Sequence, residues 1–273
     1  MERVNAFSGT ASYYRRFRPG IPDELANLLD QATPAASPRR LLDIGTGPGT
    51  VVQALLPYFD EVFAVDADAA MLAEAEGVLR PMLPSQHRLQ IRHALAEDFV
   101  PPDAWHPHLV TCGRVFHWLD QPRLLERLNE YAAPDATLAV FSDRSLWTSS
   151  STWQQTARGV VQEFLGEERR AGDGTFGPPS PPYEEVLRQS AFSDVTSAVI
   201  PVHRAWTITQ VIGYLYSTSF AAPHLFGNDC RAFETRLTET LAPLTDEGLL
   251  MEDNTFTVLT ARRPSPSKDR SWT

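Results

Sequence analysis

The stretch LLDIGTGPGT, Leu41 to Thr50, decides the fold. An apolar run enters Gly45, Gly47 and Gly49, and apolar residues at helical spacing (Val51, Val52, Leu55, Leu56) follow at once. This reads as strand, tight turn, helix, with glycines where the chain must turn sharply and leave room for a ligand. Working outward, Leu41–Gly45, Glu61–Asp66, Leu89–His93, Leu109–Gly113 and Ala136–Ser142 read as buried strands. Between them, Met71, Leu72, Ala75 and Leu79 make one helical stripe, with Asp68 placed to cap it. Leu124, Leu125, Leu128 and Tyr131 make another, with Asp120 near its start. Strands alternating with helices imply crossovers and a parallel sheet covered on both faces, a doubly wound α/β fold.

The glycine turn lies at the carboxyl edge of such a sheet, where ligands bind. The second strand ends at Asp66, placed so that its carboxylate can accept hydrogen bonds from both hydroxyls of a ribose. Turn and acid together predict an adenosine-type cofactor. The spacing G-x-G-x-G, with Pro48 between the last glycines, departs from the dinucleotide pattern G-x-G-x-x-G. No Lys-Ser/Thr pair follows, so a phosphate-cradling P-loop is excluded.

Composition narrows the class. The 273 residues are 42% hydrophobic and 21% charged, enough to bury a sizeable core. Acidic residues number 34 against 24 Lys plus Arg, a net charge of −10, the reverse of what a phosphate-backbone binder carries. The cysteines are only Cys112 and Cys230, which argues against a disulfide framework or a cysteine-rich metal site. His106, His108 and His117 fit no common zinc spacing, so no metal is expected. MERVNAFSGT shows no signal-peptide core and no 18-residue apolar run occurs, so a soluble, cytoplasmic protein without membrane contact is expected.

The later half is less regular. Ser145–Trp153 leads to a helix through Val160, Val161, Phe164 and Leu165, then a Gly/Pro-rich loop, Gly172–Pro182. Glu184–Gln189 reads as a helix, Val195–Pro201 as a strand, Thr207–Ser217 and Ala232–Leu244 as helices, and Thr255–Ala261 as a last strand. The extra helices exceed a minimal sheet layer and are expected to cap its ligand edge. The expected division is an N-terminal lid and lead-in helix (1–35), an α/β core (36–144), a cap insertion (145–182) and a core helix and strand (183–206). Cap helices (207–250), a final core strand (251–263) and a disordered tail (264–273) complete it.

These motifs resemble the class I S-adenosylmethionine-dependent methyltransferases over roughly Phe7 to Ser142. D-I-G-T-G-P-G is similar to that family's first motif and VFAVDADAAML, Val62 to Leu72, to its second. CGRVFHWLD, Cys112 to Asp120, looks like the HW variant of a type 11-like, small-molecule group that includes trans-aconitate-type enzymes. YYRRFRPGIP, Tyr13 to Pro22, resembles that group's N-terminal Y-x-x-x-R-P segment, which covers the cofactor. The resemblance implies a Rossmann-like, seven-stranded, mostly parallel sheet with its last strand antiparallel. It implies cofactor contacts from Asp43, Gly45, Thr46, Gly47, Gly49, Ala67 and Met71, with Asp66 on the ribose. Ala96 and Glu97 would lie by the adenine amino group, with Asp98 in reserve, and Gly113 and Arg114 at the end of the fourth strand. Tyr14 and Arg18 would close over the cofactor, Arg18 on its methionyl carboxylate.

Methyl transfer from a sulfonium is an in-line displacement whose leaving group departs neutral, so alignment and exclusion of water are the main demands. His117 is the candidate base, but the reading that it shapes the pocket floor with Trp118 carries more weight. Tyr13, His117, Trp118 and Trp147 are the candidate acceptor contacts. The Asn/Asp-Pro-Pro-aromatic motif typical of enzymes methylating nucleic-acid bases or protein amides is replaced by Cys112-Gly113-Arg114-Val115. The expectation is therefore methyl transfer from S-adenosylmethionine, yielding S-adenosylhomocysteine, to oxygen or nitrogen of a small molecule, such as a secondary metabolite. Net charge leans toward a neutral or cationic acceptor. The alternatives are an NAD(P)-dependent oxidoreductase on a similar sheet and a non-catalytic nucleoside-binding scaffold. Oligomeric state leaves no mark in the sequence.

Overall fold

A computed structural model describes residues 7–171, 174–175 and 181–265. The strands are β1 (Arg40–Ile44), β2 (Glu61–Asp66), β3 (Arg88–His93), β4 (Leu109–Gly113), β5 (Thr137–Asp143), β6 (Asp194–Trp206) and β7 (Leu250–Arg262). The helices are α1 (Ala11–Phe17), α2 (Asp23–Ala32), α3 (Thr50–Leu55), α4 (Ala69–Met82), α5 (Gln121–Tyr131), α6 (Thr152–Leu165), α7 (Tyr183–Arg188), α8 (Ile208–Tyr216), α9 (Pro223–Phe226) and α10 (Cys230–Leu241). Arg170–Ala171 and Gly174–Thr175 form a separate two-stranded ladder.

The seven strands form one sheet in the order β3-β2-β1-β4-β5-β7-β6. The strands β1 to β5 pair in parallel, and β7 runs antiparallel to both β5 and β6. The antiparallel last strand thus sits one place in from the edge, and the carboxyl ends of the other six strands share one rim.

Alternation along the strands builds two cores. On one face, Leu42, Ile44, Val110, Cys112 and Val140 pack with Leu124, Leu125 and Leu128 of α5 and Leu187 of α7. On the other, Leu41, Val62, Leu109 and Phe141 meet Leu25 and Leu29 of α2, Val52 and Leu55 of α3, and Leu79 of α4. Burying each such Leu or Val contributes about 1.5–3 kcal/mol, so the α/β layers are held by ordinary apolar packing. The Asp68 cap forms as the sequence suggests, its carboxylate accepting from Ala70 N at 2.8 Å and Met71 N at 3.3 Å.

A third core belongs to the helical layer: Trp153, Ala157 and Val161 of α6, Val211 and Leu215 of α8, and Phe233 and Leu237 of α10. Trp206 at the end of β6 and Leu250 at the start of β7 also join it, so this layer meets the sheet at its carboxyl rim. The helix α1 docks on α8 where Gly213 leaves space; a Cβ there would come 2.2 Å from the Phe17 ring.

Both late strands are longer than the sequence pattern suggests, Asp194–Trp206 against Val195–Pro201 and Leu250–Arg262 against Thr255–Ala261. Their carboxyl-rim halves carry His203, Arg204, Glu252, Asp253 and Asn254. Polar residues there hide a strand from any reading that looks for apolar runs. The ends of the expected lid and tail (1–6 and 266–273) and most of the Gly172–Pro182 loop lie outside the described residues.

Candidate active site

The turn after β1 is a left-handed backbone run, with φ of +64° at Gly45, +54° at Gly47 and +85° at Gly49. Gly45 is also required by contact, since a Cβ there would lie 2.3 Å from Val115 Cγ2 in the turn after β4. The turn is tied to the end of β2: Gly47 N donates to Asp66 Oδ2 at 2.8 Å and Asp68 N donates to Asp66 Oδ1 at 2.9 Å. Each carboxylate oxygen retains a second lone pair for a ligand hydroxyl. Burial pushes the Asp66 carboxyl up, while the backbone N–H groups of Asp68 and Gly47 pull it back.

Beside this lies Asp43, 1% exposed, with Thr111 Oγ1 donating to its Oδ1 at 2.6 Å. Its Oδ2 and the hydroxyl of Thr46 are buried without a hydrogen-bond partner. Burial raises the Asp43 carboxyl to about 7. The Thr111 hydrogen bond and the Thr46 hydroxyl offset part of that rise. Two orphaned polar atoms at a ligand edge are costly unless a bound group satisfies them. A cofactor carrying an ammonium group and a ribose fits this donor set: Asp43 and Thr46 for the cation, Asp66 for the hydroxyls.

The expected adenine wall follows β3. Met71 and Ala96 are buried, and Glu97, 8% exposed, accepts from Asp120 N at 2.6 Å through Oε1. Asp98 instead pairs with Arg123 on the surface, at 2.5 Å. Ala67 O contacts His93 Nε2 at 3.0 Å. From the N-terminal side, the Arg18 guanidinium lies between two rings, 5.0 Å from Tyr14 and 5.1 Å from Tyr214.

On the acceptor side, the turn after β4 carries Val115, Phe116, His117 and Trp118. A small cavity of about 60 Å³ opens there, bounded by His117, Ser142, Tyr183 and Thr257 over Val140 and Leu259. Solvent reaches the His117 ring within a recess crowded by protein atoms, and that crowding dominates its titration. Burial, then the charges of Arg169 and Arg18, lower its pKa to about 4, so the imidazole is neutral at pH 7.

A methyltransferase domain family model matches residues 14–171, more than half of the chain. The chain belongs to that family. The match fits a fold and a site whose residues suit S-adenosylmethionine. The chain is 33% identical over 199 residues to trans-aconitate 2-methyltransferase of Methylobacterium nodulans, covering 72% of this chain and 66% of that one. Across curated relatives it spans from 44% to 66% of their length. YcgJ of Bacillus subtilis superposes with a TM-score of 0.55 at 14% identity, over 89% of this chain and all of that one. The [4+2]-cyclase SpnF superposes with a TM-score of 0.56 at 13% identity, over 97% and 96% of the two chains. At such identities these two likenesses speak for the fold alone.

Several residues singled out in the sequence make structural contacts in this chain. Gly113 serves packing, because a Cβ there would meet Phe141 at 2.9 Å and Val51 at 3.0 Å. Arg114 has a left-handed φ of +60°, and its guanidinium points to Asp143, with Nε–Oδ1 2.7 Å and Nη2–Oδ2 3.1 Å, away from the glycine turn. Tyr13 packs edge-on against Tyr216 at 5.3 Å and Trp147 against Phe220 at 5.3 Å, both within the helical core. His106 and His108 go to backbone, His106 Nδ1 to Tyr131 O at 2.8 Å and His108 Nδ1 accepting from Arg40 N at 3.1 Å. Cys112 is fully buried and burial drives its thiol upward, which leaves it an apolar filler.

Sequence reasoning missed Asp143, Arg204 and Glu252. Arg204 Nη1 reaches Asp143 at 3.1 Å and Glu252 at 3.4 Å. Glu252 accepts from Trp206 Nε1 at 2.8 Å and from Gln154 Nε2 at 3.0 Å. The one available signal was the isolated acid at the end of β5, Asp143, at the same rim as Asp66.

Proposed function

We propose that the protein transfers the methyl group of S-adenosylmethionine to an oxygen or nitrogen of a small free molecule, as a tailoring step in natural-product biosynthesis. The observation that carries the cofactor half is the pair of orphaned buried atoms, Asp43 Oδ2 and Thr46 Oγ1, beside an Asp66 fixed by the Gly47 amide. When bound, the cofactor supplies an electrophilic methyl group and leaves as a neutral thioether. Asp43 and Thr46 receive the cationic methionyl end, Asp66 receives the ribose hydroxyls, and Glu97 stands by the adenine.

Arg18 and Tyr14 close this edge from the N-terminal side, which excludes water from the reacting centre. Val115 to Trp118 line the acceptor side. A neutral His117 with a pKa near 4 is a weak base and a good hydrogen-bond partner, so its main part is to orient the acceptor. An acceptor that is already ionised, or an unprotonated amine, needs no stronger base. The relative named for trans-aconitate is consistent with such an acceptor.

The second reading, a scaffold that kept the pocket, is separated by experiment. The protein is titrated with S-adenosylhomocysteine by calorimetry and then incubated with methyl-labelled S-adenosylmethionine and a panel of carboxylates, phenols and amines, trans-aconitate included. Saturable binding with label transferred to at least one acceptor supports the enzyme. Binding with no transfer to any acceptor in a broad panel supports the scaffold.

A further inference from the structure

A buried bidentate pair, Arg114 with Asp143, stands outside the glycine turn, with Arg114 at the wall of the acceptor-side cavity. The two side chains are only 9% and 11% exposed. Removing both charges from water is costly, and an apolar pair of the same shape is often at least as stable, so stability alone does not explain it. Burial alone would raise Asp143; the Arg114 guanidinium, with Arg18 and Arg204 behind it, overrides this and holds the carboxyl at about 2. The pair is therefore ionised throughout the physiological range.

Its geometry points in three directions. While Nε and Nη2 of Arg114 grip Asp143, Nη1 turns the other way and donates to Pro19 O at 3.0 Å. Pro19 directly follows Arg18, the guanidinium held between Tyr14 and Tyr214 with no acidic hydrogen-bond partner among the described residues. The left-handed Arg114 backbone, its N–H bonded to Phe141 O at 2.8 Å, also launches the turn whose Val115 abuts Gly45 and which carries His117. Through Asp143 and Arg204, the pair reaches Glu252 and hence Trp206 and Gln154 of the helical layer.

We propose that Arg114 is a positioning residue: its guanidinium locks the Tyr13–Pro22 segment to the ends of β4 and β5, so that Arg18 and Tyr14 are set over the cofactor edge by the same side chain whose backbone shapes the acceptor-side turn. A lysine cannot replace it, because a single ammonium lacks the fork that serves Asp143 and the Pro19 carbonyl together. The inference rests on the methyltransferase reading for the identity of the ligand under the segment.

The test measures hydrogen exchange of the Tyr14–Ile21 amides and calorimetric affinity for S-adenosylhomocysteine in the full-length protein, Arg114→Lys and Asp143→Asn. In the wild type the ligand slows exchange in that stretch. Arg114→Lys loses that slowing and binds about tenfold more weakly, while protection at Gly45–Gly49 persists, and Asp143→Asn lies between. Wild-type affinity and wild-type slowing in Arg114→Lys would overturn the proposal. So would faster exchange spread evenly over the sheet in both variants, which marks the pair as a stabiliser of the fold only. Should the wild type bind no S-adenosylhomocysteine, the methyltransferase reading fails by itself. The free proteins then decide the strut: equal Tyr14–Ile21 exchange in wild type and Arg114→Lys overturns it.

Discussion

The cofactor edge and the joint between sheet and helical layer are built from opposite materials. At the edge, backbone does the work: left-handed glycines, a Gly47 amide on Asp66, a Val115 side chain against Gly45. At the joint, long charged side chains do it: Asp143, Arg204 and Glu252, with Trp206 and Gln154 closing the network. Backbone geometry is encoded in a few adjacent residues, and the edge keeps buried polar atoms without a hydrogen-bond partner. The joint draws residues from β5, β6, β7 and α6, and its charges are spent on one another. The first region leaves polar atoms open and the second pairs its own.

That contrast can be broken by mutation. The largest expected effect is on stability at the joint. Glu252→Ala strands the buried Trp206 and Gln154 donors and takes one of its two carboxylates from Arg204, and should cost about 3–5 kcal/mol in chemical denaturation. Its affinity for S-adenosylhomocysteine, measured below the melting temperature, should stay within a few-fold of wild type. A stable Glu252→Ala protein would show that the network carries no weight.

At the edge the effect reverses. Asp66→Ala should lose about 2–3 kcal/mol of S-adenosylhomocysteine binding, roughly a hundredfold, with thermal stability little changed. Unchanged affinity would remove the ribose assignment.

A smaller effect separates the regions by pH. Asp43 is raised to about 7, and a cationic ligand at its free oxygen favours the ionised form. Affinity should therefore rise as pH increases through about 7 and level off above it, and Asp43→Asn should flatten the profile. Asp143 is lowered, so the stability it contributes is present above the ordinary carboxylate range and is lost only as pH falls toward about 2. Between pH 5 and 8 binding should change while the joint does not. The smallest effect is expected at His117. With a pKa of about 4, it should give no inflection near 6.5 in turnover, and His117→Asn should slow transfer about tenfold without altering cofactor affinity.

The same contrast explains what could be read in the sequence. The succession of β1 to β5 and their helices was legible because apolar runs and helical stripes repeat at fixed periods, and so was the position of Asp66 as the end of β2. The rim-side halves of β6 and β7 were not, because the half-buried Arg204 and the buried Glu252 and Asn254 are polar residues that mimic loop composition. Arg114 was read as a cofactor contact from its position after β4. Nothing local announces that its backbone is left-handed or that its partner is 29 residues away. Gly213 likewise looks like an ordinary helix glycine until Phe17 of α1 is found against it.

The glycine turn and Asp66 suit S-adenosylmethionine and not a dinucleotide. Parallel calorimetric titrations of the wild-type protein with S-adenosylhomocysteine and with reduced nicotinamide dinucleotide test it most directly. Saturable one-to-one binding of the first and no heat of binding from the second are expected. Binding of the dinucleotide without binding of S-adenosylhomocysteine would contradict it.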